Sequence, residues 1–136
     1  MTSLNPQPGR AVVRTIDDCD TEEWTDPSRG IVKWWTLFSG DRTPTSHITA
    51  GLAEIPVGAP RQIRGHWHSH AEMYFIVSGV GVVVVDGVET SVTAESAVFI
   101  PGNVEHFAVN TGNVPLRLLY IFAADSFDEV NYCFPQ

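Results

Sequence analysis

From residue 31 onward the chain alternates short runs of β-branched and aromatic residues with turn residues, whereas the stretch before it follows no period. Runs of strand length fall at 31–39, 48–57, 63–68, 72–78, 80–85, 88–92, 97–100, 106–110 and 116–123. Between the valines of 80–85 and Val88 stands Asp86-Gly87, a pair that supplies the two positive φ angles of a type I′ hairpin turn. No stretch holds a helical period with caps. Many short strands punctuated by turns predict an all-β sandwich or barrel. Residues 1–30, with Pro6 and Pro8, an acidic patch from Asp17 to Glu23 and the turn cluster Asp26-Pro27-Ser28-Arg29-Gly30, read as an irregular N-terminal arm that lies over the barrel or a partner subunit.

A length of 136 residues predicts one domain with a single core, here 31–136 beside the arm 1–30. The chain is 43% hydrophobic and 18% charged, a globular composition, and no apolar run approaches the roughly 20 residues of a membrane span. Met1 to Arg10 has no basic start followed by an apolar stretch, so no secretory signal is expected and the cytoplasm is the expected compartment. Eight basic against sixteen acidic residues give a net charge of −8, which repels phosphate backbones and argues against a nucleic-acid partner. Cys19 and Cys133 stand far apart, outside any C-x-x-C pattern, and read as two reduced thiols.

The chemistry concentrates in Gly65-His66-Trp67-His68-Ser69-His70-Ala71-Glu72-Met73-Tyr74. On a strand, residues two apart share a face, so His66 and His68 point together and Trp67 points away. After a short turn Glu72 opens the next strand, and the same period puts Tyr74 on its face. Imidazole nitrogens with a carboxylate suit Fe, Mn, Ni, Co or Zn as a divalent ion. His106, which follows the turn Pro101-Gly102-Asn103-Val104-Glu105, is the candidate to complete the cage. His70 reads as a histidine behind the site or exposed, with a ligand role as the lesser alternative. His47, alone before a strand, reads as structural. Arg61 and Arg64 could hold a substrate carboxylate, although solvated loop positions are the simpler account.

These residues resemble a family. The spacing His66-x-His68-x3-Glu72-x6-Gly79 matches the first cupin motif, and Pro101-x4-His106-x3-Asn110 matches the second. The resemblance implies a jelly-roll type cupin β-barrel holding one metal on His66, His68, Glu72 and His106. It also implies a homodimer built through edge strands and the N-terminal arm. Three motif glycines are replaced, by Pro60, Glu95 and Asn103, all at turn positions.

A narrower likeness runs through Tyr74, the stretch from Ile100 to His106 and the tail from Tyr120 to Tyr132, which is similar to the small cupin dimethylsulfoniopropionate lyases. That resemblance implies a β-elimination releasing dimethyl sulfide and acrylate, with Tyr74 or Tyr132 as the base. A tyrosine two residues after the glutamate is also common in cupins as packing, and Tyr120 reads as packing. A close tyrosinate could take a proton made acidic beside a metal-bound carboxylate, but its ordinary pKa near 10 must first be lowered. Four protein ligands close a tetrahedral ion, whereas a six-coordinate ion keeps two places for substrate. Trp34, Trp35, Trp67 and Phe107 pack the barrel or offer a face to a sulfonium cation. Two other classes share the quartet: another metal-dependent enzyme on a small carbonyl or carboxylic acid, such as a dioxygenase, decarboxylase or isomerase, and a non-catalytic cupin that binds a small molecule.

Overall fold

The computed structural model describes residues 9–26 and 28–135. Pro6, Pro8, Pro27 and the first eight residues, on which part of the arm and signal expectations rest, lie outside the described residues. Nine strands follow in order: β1 Glu22–Asp26, β2 Gly30–Phe38, β3 Thr49–Ile55, β4 Glu72–Ser78, β5 Val80–Val85, β6 Val88–Thr93, β7 Ala97–Ile100, β8 His106–Asn110 and β9 Leu116–Phe122. They form a six-stranded sheet, β1-β2-β3-β9-β4-β7, and a three-stranded sheet, β6-β5-β8, all antiparallel. This is the all-β architecture that the strand pattern predicts, in the jelly-roll form that the cupin resemblance implies. No helix among the described residues is long and apolar enough to cross a membrane.

The period of two does most of the assembly. Along β4, Glu72, Tyr74 and Ile76 are buried while Met73, Phe75 and Val77 are exposed. Ile76, Val83, Ile100, Leu116, Leu118 and Phe122 meet in the core, each burial contributing roughly 1.5–3 kcal/mol. Asp86 and Gly87 have φ of 49° and 75°, as the hairpin turn requires. Two of the replaced motif glycines, Glu95 and Asn103, also sit at positive φ, 72° and 62°, so the turn shape is kept without the glycine.

Two expectations need correction. Residues 63–68 are not a strand; only His66 and Trp67 form isolated bridges, to His106 and to Cys133. The segment has no continuous neighbour to supply a ladder, so its strand-like composition goes unused. Conversely, the stretch read as irregular contains β1, which pairs in register with β2 from Glu22↔Trp34 to Asp26↔Gly30. The turn between them is tied by Asp26 Oδ1, which accepts from the Ser28 amide at 2.8 Å and its hydroxyl at 2.7 Å, an Asx turn. Ahead of β1, the chain lies on β2: Arg14 Nη1 donates to Leu37 O at 2.8 Å, and Trp35 Nε1 to Thr21 Oγ1 at 2.9 Å.

Candidate metal centre

The ring nitrogens of His66, His68 and His106 come within 4.8 Å of one another. Glu72 enters from β4, and its Oε1 lies 3.2 Å from His68 Nε2 and 3.1 Å from His106 Nε2. The three histidines therefore cluster, and Glu72 joins them through His68 and His106. His68 and His106 are buried to 1% exposure, Glu72 to 4%.

The backbone decides which nitrogens face inward. His68 Nδ1 is 2.8 Å from His70 O, and His106 Nδ1 is 2.8 Å from Val104 O. A carbonyl only accepts, so in the neutral imidazole Nδ1 carries the proton and the Nε2 lone pair points at the centre. Such carbonyl partners are the usual orienting support of a metal-binding histidine. Two lone pairs and a carboxylate oxygen thus share one point, and a cation satisfies all three. His66 adds a third imidazole whose Nδ1 is buried without a partner. Burial first, and then His106 and His68, hold its pKa down to about 3. The donor set fits a divalent ion of the Fe, Mn, Ni, Co or Zn kind.

His66 is brought in by its bridge to His106, through His106 N→His66 O at 2.9 Å and His66 N→His106 O at 3.2 Å. Gly65 is required beside it, because a Cβ there would run into the His106 carbonyl. Trp67 pairs with the tail, its amide donating to Cys133 O at 3.0 Å and its carbonyl accepting from Cys133 N at 2.8 Å. That bridge lays Tyr132 over the site. Its ring stacks on His66 at 4.6 Å between centroids and lies 5.1 Å from His68. Tyr74, buried on β4, stands 6.2 Å from His106 between ring centroids. Burial pushes both phenols well above the ordinary tyrosine value, and the Glu72 charge adds to the rise.

A cavity of about 110 Å³ opens beside the centre, lined by His66, Glu72, Tyr74 and Tyr132 together with Trp24, Trp34, Phe107 and Tyr120. Trp24 and Tyr120 were not expected there. Trp24 arrives on β1 and meets Trp34, Tyr132 and Phe134 edge-on at 5.5–5.7 Å; the signal available was a tryptophan between polar residues, two positions ahead of the turn cluster that runs from Asp26 to Gly30. Trp67 does not line the cavity, in keeping with the alternation. Arg61 and Arg64 do not line it either; they pair with Glu89 and Glu105. The Arg64 fork and the Gly65 amide draw the Glu105 carboxyl down to about 2. His70 contributes its carbonyl to His68 rather than a ring nitrogen to the cluster. His47 is exposed, its amide donating to Asp125 Oδ1 at 2.7 Å. Among the described residues Cys19 and Cys133 are free thiols.

The Cupin_2 cupin-domain family matches residues 51–122. The chain is a cupin. It is 39% identical over 110 residues to the dimethylsulfoniopropionate lyase DddW of Ruegeria pomeroyi, a match spanning 81% of this chain and 70% of that protein. Among solved cupin-like folds, a cupin-2 domain protein of Rhodospirillum rubrum superposes with a TM-score of 0.70 at 22% identity, covering 96% of this chain and 83% of that one. The polyketide cyclase RemF of Streptomyces resistomycificus gives 0.72 at 17% identity, over 93% and 88% of the two chains. These structural likenesses show the cupin fold alone.

Proposed function

We propose that this cupin cleaves dimethylsulfoniopropionate to dimethyl sulfide and acrylate, with Tyr132 as the general base. The observation that carries the reading is the Tyr132 ring stacked on His66 at the edge of the cavity, in a chain similar to DddW. A divalent ion held by His66, His68, Glu72 and His106 would withdraw charge from a bound carboxylate, acidify the adjacent C–H and lower the pKa of a neighbouring phenol.

The remaining work falls to the chain's own side chains. The Tyr132 oxygen takes the proton α to the carboxylate, the Cα electron pair forms the new double bond, and the C–S pair leaves with sulfur as dimethyl sulfide. Tyr132 is the better placed phenol because it arrives from the half-buried tail, whereas Tyr74 is locked in the β4 ladder. Trp24 and Trp34 wall the cavity, exclude water and present π faces to a sulfonium cation. The cytoplasm and a homodimer belong to the same proposal. The first is supported by the free thiols, the second by the exposed outer row Met73, Phe75, Val77 and Phe99 on β4 and β7.

The test is headspace measurement of dimethyl sulfide from protein loaded with Fe(II), Mn(II), Ni(II), Co(II) or Zn(II) in turn. Tyr132→Phe is expected to lower turnover by about 10²–10⁴-fold with metal content unchanged. No dimethyl sulfide from the wild type with any of these ions refutes the lyase reading, and oxygen uptake with Fe(II) would identify a dioxygenase in its place.

A further inference from the structure

The chain reaches His66 through residues 56–65, which belong to no strand, yet His66 has to meet two histidines held by other parts of the fold. Glu105 closes the distance. It is the residue before His106, and one carboxylate gathers three donors: Arg64 Nε at 2.8 Å to Oε1 and 3.1 Å to Oε2, Arg64 Nη2 at 2.8 Å to Oε2, and the Gly65 amide at 2.9 Å to Oε1. The Glu105 carbonyl is tied in turn to the β5–β6 hairpin, accepting from Asp86 N at 2.8 Å. Two residues directly before His66 are therefore fastened to the residue directly before His106, at the side of the His66–His106 bridge that has no ladder to steady it.

We propose that Glu105 is a positioning residue of the metal centre, whose carboxylate clamps Arg64 and Gly65 and so sets the approach of His66 to His68 and His106. The proposal rests on the quartet being a metal site and is independent of the lyase reading. A bidentate guanidinium contact fixes direction as well as distance, and the Gly65 amide extends that fixation to the backbone itself. The pair itself is solvent-exposed, Arg64 to 58% and Glu105 to 27%, so the fixation comes from the fork and the backbone amide rather than from the weak attraction of a surface ion pair. The same loop supplies the contrast: Arg61 pairs with Glu89 on β6, with no link to a ligand-bearing residue.

Co(II) alone is the probe, titrated into the full-length protein against a chromophoric chelator and followed by its visible absorption. Glu105→Ala is expected to raise the Co(II) Kd about tenfold and to change the Co(II) absorption bands as the His66 donor shifts. Arg64→Ala is expected to do the same to a smaller degree, about threefold, with partial recovery in Arg64→Lys, which keeps the charge without the fork. Arg61→Ala is expected to leave both Kd and spectrum as in the wild type. Wild-type Kd and spectrum in Glu105→Ala, or in Arg64→Ala should the first variant not fold, overturn the clamp, as does an equal effect from Arg61→Ala. A wild-type protein that binds no Co(II) overturns the metal centre instead.

Discussion

Glu72 and the histidines converge on one point from backbone of different kinds. Glu72 stands on β4, laddered to β9 on one side and β7 on the other, with Phe122 and Ile100 as its partners in register. His66 and His68 stand on a segment with no ladder, held by one bridge to His106 and another to Cys133. A strand fixes a side chain's direction by its own period, so the carboxylate is placed locally. The His66 and His68 imidazoles are placed by contacts that exist only when distant parts of the chain have already packed, His106 itself standing on β8 in register with Val85 of β5. The consequence is an ordered half and a dependent half of one site.

The largest expected effect comes where the two halves meet. His106 bridges His66 through its backbone and touches Glu72 through its ring, so His106→Ala should cut metal affinity by about 100-fold or more while the β4 ladder survives. Calorimetric titration with Zn(II) measures the first, and far-ultraviolet circular dichroism the second. Loss of the strand signal would mean that the halves are not separable.

A smaller effect is expected from acid on the metal-free protein. His66 is held down to about 3 from an unfolded value of 6.5, so below 6.5 the unfolded chain takes up the proton first. The neutral folded form then keeps its full stability above pH 6.5 and loses it as pH falls toward 3, by at most about 1.4 kcal/mol per pH unit. The window from 6.5 to 5 lies above the ordinary carboxylate range and reports the histidine half. Melting without metal should therefore occur at a lower temperature at pH 5 than at pH 7.5. Equal melting points would show that His66 is not kept neutral by burial.

The smallest effect belongs to the laddered half. Glu95 sits at φ 72° in the turn before β7, and its amide donates to Ile76 O on β4 at 2.8 Å. A left-handed conformation costs a non-glycine residue about 1–2 kcal/mol, part of which glycine returns through its freer unfolded state. Glu95→Gly should gain about 0.5–1 kcal/mol, a rise of roughly 2–4 °C in Tm, with metal affinity unchanged. A change in affinity would couple the ladder to the histidine segment through β4.

Local period and local turn chemistry were enough to read β4, β5, β7 and β8 to their end residues and the Asp86-Gly87 hairpin, because each depends on neighbours one to four positions away; the set of four candidate ligands was implied instead by the match to the two cupin motifs. The same reading put a strand at 63–68 and none at 22–26. Strand composition needs a partner, and packing supplied one to β1 while giving His66 and Trp67 only a bridge each. Trp24 in the cavity wall, Tyr132 on His66 and Arg64 on Glu105 have no period to announce them. Each pairs residues far apart along the chain, and such contacts form only when the tail, the first strand and the turn before β8 fold back onto the barrel.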